Sequence, residues 1–161
     1  MRLAFRGSWA TALLWAAPIG LAAVFAQQTL PNSGQANAAM HVIKDDPGGY
    51  LHEYDERYQK IAGSSAQIVI DGECSSACTT ILGYVPLERI CVTDKAWLGF
   101  HAPTEEDASG NWVETPEGTA EVMEHYPKPV RDWITHKGGL EAEMIYLEGP
   151  ELQKILKRCT S

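Results

Sequence analysis

Short apolar segments that alternate with helical stretches constrain the fold of this chain most strongly. Each segment has four to six residues, many of them branched or aromatic, and turn residues or an amphipathic stretch separate it from the next. The four segments lie at residues 40–44, 67–71, 90–93 and 96–101. Because strands that alternate with helices favour βαβ units, the sequence predicts a single-domain α/β fold with a parallel-rich sheet.

Two helices are predicted between these strands. The first has its apolar residues at intervals of three and four, which places them on one helical face. These residues are Leu51, Tyr54, Tyr58 and Ile61. The second, Ser76–Tyr84, follows a loop of small residues at 72–75, and a polar, acidic excursion at 103–118 interrupts the pattern further on.

A serine and a histidine stand at the ends of two of these elements. Ser76 begins the second helix, and His101 ends the strand at 96–101, 25 residues later. A serine nucleophile needs such a pair, a hydroxyl at a helix N-terminus and an imidazole that takes its proton. The structural alternative makes Ser76 a helix cap and His101 a buried, backbone-bonded histidine.

The N-terminal residues have the composition of a secretory signal. Arg2 and Arg6 precede an apolar run that ends in small residues at Ala26. We expect a signal peptide at 1–26, a flexible leader at 27–39 and one domain at 40–161. The protein would then be periplasmic or secreted, with no membrane span after cleavage.

The mature chain would be acidic. Without Arg2 and Arg6, 11 basic side chains remain against 21 acidic ones, a formal net charge of −10. No basic cluster is left to bind phosphates, so nucleic acid and anionic membranes are poor partners. No nucleotide-binding phosphate loop or metal-ligand spacing is present either, and we expect neither a cofactor nor a metal.

Four cysteines predict disulfides in an oxidising compartment. They are Cys74, Cys78, Cys91 and Cys159, for which three pairings exist. A Cys91–Cys159 bridge would close a long loop and stabilise the fold by roughly 4 kcal/mol through chain entropy. Cys74 and Cys78 would then pair with each other or stay reduced. A metal site or a thiol nucleophile is the less favoured use of these two residues.

Three blocks of the sequence resemble the Clp protease proteolytic subunit and the wider crotonase-type fold. The blocks are Ile43–Gly49, Gly72–Ala77 and Leu98–Pro103, within a resemblance that covers about residues 40–159. The resemblance implies a layered, crotonase-like core, with Ser76 as the nucleophile and His101 as its base. It also implies an oxyanion hole formed by the backbone N–H groups of Gly49 and Ala77.

The third member of the family's triad is an aspartate, and Met144 occupies that position here. Glu141 and Glu143 lie beside it, so the resemblance makes Glu143, or else Glu141, the candidate that orients His101. A histidine without such a carboxylate loses tautomer control and stabilisation of its charged form. The stretch after His101, where the family forms ring contacts, is shortened, which leaves oligomerisation open.

Together these residues predict a secreted or periplasmic serine hydrolase. We expect a peptidase that acts by acyl transfer on a peptide or a small acyl substrate. The alternative is a catalytically inactive Clp-like module that binds or supports components of the cell envelope.

Overall fold

A computed structural model describes residues 39–160. The predicted signal peptide, its cleavage site and all but the last residue of the predicted leader lie outside these residues. Within residues 39–160, no helix is long and apolar enough to cross a membrane.

The described residues form short strands and helices in alternation. The strands are β1 (Met40–Ile43), β2 (Gln67–Ile70), β3 (Glu73–Ser75), β4 (Ile90–Val92), β5 (Trp97–Phe100), β6 (Thr104–Glu106), β7 (Trp112–Glu114), β8 (Ile145–Glu148) and β9 (Lys157–Arg158). The α helices are α1 (Leu51–Ala62), α2 (Ile81–Tyr84), α3 (Pro116–His125), α4 (Lys128–His136) and α5 (Gly149–Ile155). Two 3-10 segments cover Ser76–Thr80 and Leu87–Arg89.

The strands form two sheets and a hairpin. Sheet A has the order β1-β2-β4-β9, and all its strands are parallel. Sheet B has the order β3-β5-β8, with β3 and β5 parallel and β8 antiparallel to β5. Strands β6 and β7 form the separate antiparallel hairpin. The predicted α/β class with a parallel-rich sheet is confirmed.

The chain passes from sheet A to sheet B three times. It continues from β2 to β3 and from β4 to β5, and after β1 it makes a parallel bridge between Asp46 and Cys74 beside β3. Neighbouring parallel strands end at the same edge of a sheet, where ligand sites of α/β folds are found. The loops that follow Asp46, β3 and β5 are therefore neighbours in space.

One hydrophobic core connects the sheets and helices. The branched and aromatic residues of the central strands are almost fully buried, as their apolar runs predict. These residues are Ile68, Ile70, Ile90, Val92, Leu98 and Phe100. Helix α1 contributes Tyr54 and Tyr58, two of the residues that its periodicity assigns to one face, and α4 contributes Val130 and Ile134.

Several local predictions differ from the structure. Residues 73–75 of the predicted loop form β3, and the predicted helix Ser76–Tyr84 begins as a 3-10 segment and becomes α-helical at Ile81. The excursion at 103–118 contains the β6–β7 hairpin and the first turn of α3. Strands of two or three residues are too short to show periodicity, so pairing with neighbours defines them.

Both disulfides connect cysteines that the fold brings together. Cys91 of β4 pairs with Cys159, which follows β9, the neighbouring parallel strand. This bridge spans 68 residues of sequence, for which chain entropy predicts a stabilisation of about 4 kcal/mol. Cys74 pairs with Cys78, four residues away. Two disulfides are consistent with an oxidising environment outside the cytoplasm.

Candidate active site

Ser76 and His101 form a hydrogen bond at the carboxyl edge of sheet B. The distance between Ser76 Oγ and His101 Nε2 is 2.8 Å. The register of two parallel strands accounts for it, because Ser75 of β3 lies opposite Gly99 of β5. Ser76 follows Ser75 by one residue, and His101 follows Gly99 by two. Strand pairing therefore brings together two groups that are 25 residues apart in sequence.

The backbone of Ser76 adopts a conformation that non-glycine residues rarely use. Its φ angle is +53°, in the left-handed region, which costs about 1–3 kcal/mol and persists only when surrounding contacts enforce it. One contact is the hydroxyl of Thr79, which donates to the Ser76 carbonyl at 2.6 Å. The hydroxyl of buried Tyr126 lies 2.6 Å from the same Thr79 oxygen. Because the Thr79 proton is used, Tyr126 is the donor.

The turn Pro47–Gly49 lies directly against the nucleophile loop. Gly48 has a φ of +89°, and an added Cβ would lie 2.6 Å from both Ser75 O and Ser76 Cβ. The same Cβ would lie 2.9 Å from the backbone nitrogen of Ala77. Only glycine permits this approach. The family resemblance assigns an oxyanion N–H to Gly49, and the close approach to the nucleophile loop belongs to its neighbour Gly48.

The carboxylate of Asp46 holds this turn in place. It accepts the N–H of Gly48 at 3.1 Å and the hydroxyl of Tyr54, and Arg57 forms an ion pair with it at 3.7 Å. On the backbone, the Asp46 carbonyl accepts the N–H of Ser75 at 2.9 Å. Asp46 therefore couples the glycine turn to both α1 and the strand that carries the nucleophile.

The two predicted oxyanion donors line the same cleft as the serine and the histidine. Gly49, Ser76, Ala77 and His101 all contribute to its wall. Among the hydrogen bonds of residues 39–160, neither the Gly49 N–H nor the Ala77 N–H has an acceptor. Backbone N–H groups without a partner beside a nucleophile are the donors that a tetrahedral oxyanion requires.

The cleft has a volume of about 380 Å³ and mainly apolar walls. Leu51, Val122 and Tyr126 line its interior. At its mouth, Tyr50 and Trp112 are 57% and 55% exposed, and their ring centroids are 6.0 Å apart. The wall residues Leu51, Val122 and Tyr126 carry no sequence signal for a site, because they come from separate elements and have the pattern of ordinary core residues.

No carboxylate of residues 39–160 forms a hydrogen bond or an ion pair with His101. Glu141 and Glu143 are exposed, and Glu141 approaches only through its carbonyl, which accepts the Ala102 N–H at 2.8 Å. The thioether of Met144 packs against Gly99 on β5. Among the described residues, no hydrogen bond or ion pair therefore supports Glu143 as the residue that orients His101.

This arrangement leaves the tautomer of His101 without support. If Nε2 accepts the Ser76 proton, the neutral ring must carry its own proton on Nδ1. Among the described residues no group accepts a hydrogen bond from Nδ1. The base is therefore positioned by the serine and by strand β5, without the third group that usually orients it.

Cys74 and Cys78 are oxidised to a disulfide on either side of Ser76. Neither thiol is available as a nucleophile or as a metal ligand. The disulfide therefore excludes a metal site or a thiol nucleophile at these two residues.

Three buried tyrosines surround the site, and we expect them to make the fold sensitive to alkali. Burial and the neighbouring Asp46 raise the pKa of Tyr54 to about 12. Burial also raises the pKa of Tyr58 and of Tyr126 well above the ordinary value. Because the unfolded chain ionises its tyrosines first, their contribution is complete below about pH 10 and is lost as pH rises further.

The melting temperature measured between about pH 8 and pH 11 tests this expectation, with ultraviolet absorbance to follow tyrosinate. We expect the melting temperature to fall above about pH 10 and tyrosinate to appear together with unfolding. Replacement Tyr146→Phe is the control, since this tyrosine is 52% exposed. Ionisation of all tyrosines before unfolding would contradict the burial argument.

No protein-family model matches the chain, and no curated protein is significantly similar to it. The geometry of the site is therefore the basis for assigning a function.

Proposed function

We propose that this chain is a serine hydrolase of the Clp-protease-like type, acting as a peptidase outside the cytoplasm. The 2.8 Å hydrogen bond between Ser76 and His101 carries the proposal. A serine hydroxyl is a weak nucleophile until an adjacent base removes its proton. The bond joins the two groups in the wall of a cleft, where a substrate carbonyl can reach the serine oxygen.

The chemistry proposed for this pair is acyl transfer. Ser76 Oγ attacks the carbonyl carbon of the substrate while His101 Nε2 takes the hydroxyl proton. The N–H groups of Gly49 and Ala77 stabilise the oxyanion that forms. His101 then gives its proton to the leaving amine or alcohol, and the acyl-enzyme remains. Water, deprotonated by the same histidine, releases the acid and restores the serine.

The cleft favours a peptide or a small acyl substrate with an apolar group next to the reactive carbonyl. Leu51, Val122 and Tyr126 offer an apolar surface beside Ser76. Tyr50 and Trp112 are exposed at the entrance, where flat rings contact a chain with little loss of conformational entropy. The net negative charge of the protein disfavours strongly acidic substrates.

A second candidate function is a binding module with an inactive Clp-like site. The observation in its favour is the missing carboxylate at His101, where Met144 packs beside β5 instead. Replacing the orienting aspartate lowers turnover by about 10⁴-fold in a serine protease. A module of this kind would use the aromatic entrance to bind a partner and would form no acyl-enzyme.

Labelling with a fluorophosphonate distinguishes the two functions. We expect the probe to modify Ser76 of the purified, disulfide-bonded protein, with the site identified by mass spectrometry. Replacement His101→Ala should lower the labelling rate by about 100- to 1,000-fold, because the general base is lost. His136→Ala is the matched control, since this histidine is exposed at the end of α4. An unlabelled wild-type protein would favour the binding module.

A further inference from the structure

The Cys74–Cys78 disulfide encloses the nucleophile: Cys74 and Ser75 precede Ser76, and Ala77 and Cys78 follow it. We propose that this disulfide is a positioning element for catalysis, which fixes the position of the Ser76 hydroxyl relative to the Ala77 N–H. The proposal rests on the proposed hydrolase function.

The segment inside the bridge is the one that needs a constraint. Ser76 has a φ of +53°, and a strained residue of this kind relaxes unless its surroundings over-determine it. The bridge holds the Cα atoms of Cys74 and Cys78 at 5.3 Å. Only Ser75, Ser76 and Ala77 lie between the two cysteines. Small rotations in these three residues would displace both the nucleophile and one oxyanion donor.

Both ends of the bridge are attached to rigid parts of the fold. Cys74 pairs with Leu98 in sheet B, and its backbone also forms the parallel β-bridge with Asp46. The carbonyl of Cys78 accepts the hydroxyl of Tyr58, on α1, at 3.1 Å. The disulfide therefore transfers the rigidity of the sheet and of α1 to the residues between its ends.

The other hydrogen bonds of this segment hold the Ser75 N–H, which the Asp46 carbonyl accepts, and two of its carbonyl groups. Thr79 donates to the Ser76 carbonyl and Thr80 donates to the Ala77 carbonyl at 2.8 Å. Among residues 39–160, no hydrogen bond fixes the N–H of Ala77, which must stay free for an oxyanion. The disulfide is a restraint on this N–H that does not occupy it.

Both sulfur-bearing side chains are completely buried. Cys74 and Cys78 have 0% exposure and belong to the hydrophobic core. Reductants attack exposed disulfides far more readily than buried ones. The disulfide is therefore a permanent constraint on the site, and its burial argues against a reversible redox switch.

The test compares the two disulfides of the same protein. Variant Cys74→Ala/Cys78→Ala loses the bridge around Ser76, and Cys91→Ala/Cys159→Ala loses the bridge in sheet A. Fluorophosphonate labelling is measured over a range of probe concentrations, well below each melting temperature. This separates the maximal labelling rate from the probe concentration at half-saturation.

We expect the Cys74/Cys78 variant to label about 100-fold more slowly at saturation, as for small displacements of reacting groups. Its half-saturating concentration should stay unchanged, because Leu51, Val122 and Tyr126 still form the cleft. The Cys91/Cys159 variant should melt at a lower temperature and label at the wild-type rate. A structural role alone would lower the melting temperature of both variants and leave both labelling rates intact.

Each outcome decides a different point. If wild-type protein does not label, the hydrolase proposal fails before the bridge is tested. If wild-type protein labels and the folded Cys74/Cys78 variant labels as fast, the positioning role is overturned. If that variant is unfolded in buffer, it is measured in trimethylamine N-oxide, which favours the compact state without restoring the bridge. A variant that is unfolded even there shows a requirement for folding, and this also overturns the positioning role.

Discussion

Replacing Ser76 with alanine is expected to abolish fluorophosphonate labelling and to lower any hydrolytic activity by about 10⁴-fold or more, as for other serine nucleophiles. The hydroxyl that attacks the carbonyl is gone, and His101 Nε2 loses its hydrogen-bond partner at 2.8 Å. Labelling followed by mass spectrometry, and hydrolysis of a peptide with an apolar residue before the scissile bond, are the measurements. The half-buried hydroxyl contributes little to packing, so the fold should remain intact.

A glycine at the same position separates catalysis from backbone strain. Ser76→Gly is equally inactive, but glycine adopts the φ of +53° without the steric cost that alanine keeps. We expect the glycine variant to exceed the alanine variant in free energy of unfolding by about 1 kcal/mol. Denaturant titration measures the difference. Gross unfolding of Ser76→Ala would show that the serine is structural and would support the binding module.

The second large effect is expected for Gly48→Ala, through the contact between the glycine turn and the nucleophile loop. An added Cβ would lie 2.6 Å from Ser75 O and Ser76 Cβ, and the φ of +89° is unfavourable for alanine. Backbone strain and steric overlap each cost about 1–3 kcal/mol, so the free energy of unfolding should fall by about 2–6 kcal/mol. Where the variant still folds, the loop must move and labelling of Ser76 should be strongly reduced.

Gly138→Ala is the matched control for this experiment. Gly138 has a φ of +109°, and an added Cβ there would meet no heavy atom within 4 Å. It carries the conformational cost without the steric overlap, so we expect a loss of about 1–3 kcal/mol and normal labelling. Equal losses for the two variants would mean that the turn does not press on the nucleophile loop as the structure indicates.

Local patterns in the sequence account for much of the fold. The apolar runs at residues 67–71 and 90–93 predict β2 and β4 within one residue, because buried strands need branched side chains on both faces. The spacing of Tyr54 and Tyr58 predicts the buried face of α1. Strand β3 and the strand β9 near Cys159 are not predictable in this way, since pairing with distant partners creates them.

The sequence likewise predicts some parts of the candidate site and not others. Ser76, His101 and the glycine turn are visible in the sequence as a serine after a small-residue loop, a histidine after a strand and a Pro-Gly-Gly turn. Their chemical roles remain predictions for the labelling experiments. The cleft walls Leu51 and Val122 have no signal of their own, because apolar residues on a helix face are normally core.

The sequence by itself determined the local requirements of this protein: which segments are extended, where a backbone must be glycine, and which side chains can serve as nucleophile and base. The tertiary structure alone decided how these parts meet. The register that places Ser75 opposite Gly99, the pairing of Cys91 with Cys159, and the packing of Met144 beside β5 all depend on long-range contacts. Such contacts follow from burying the whole core at once, and no short stretch of sequence contains that information.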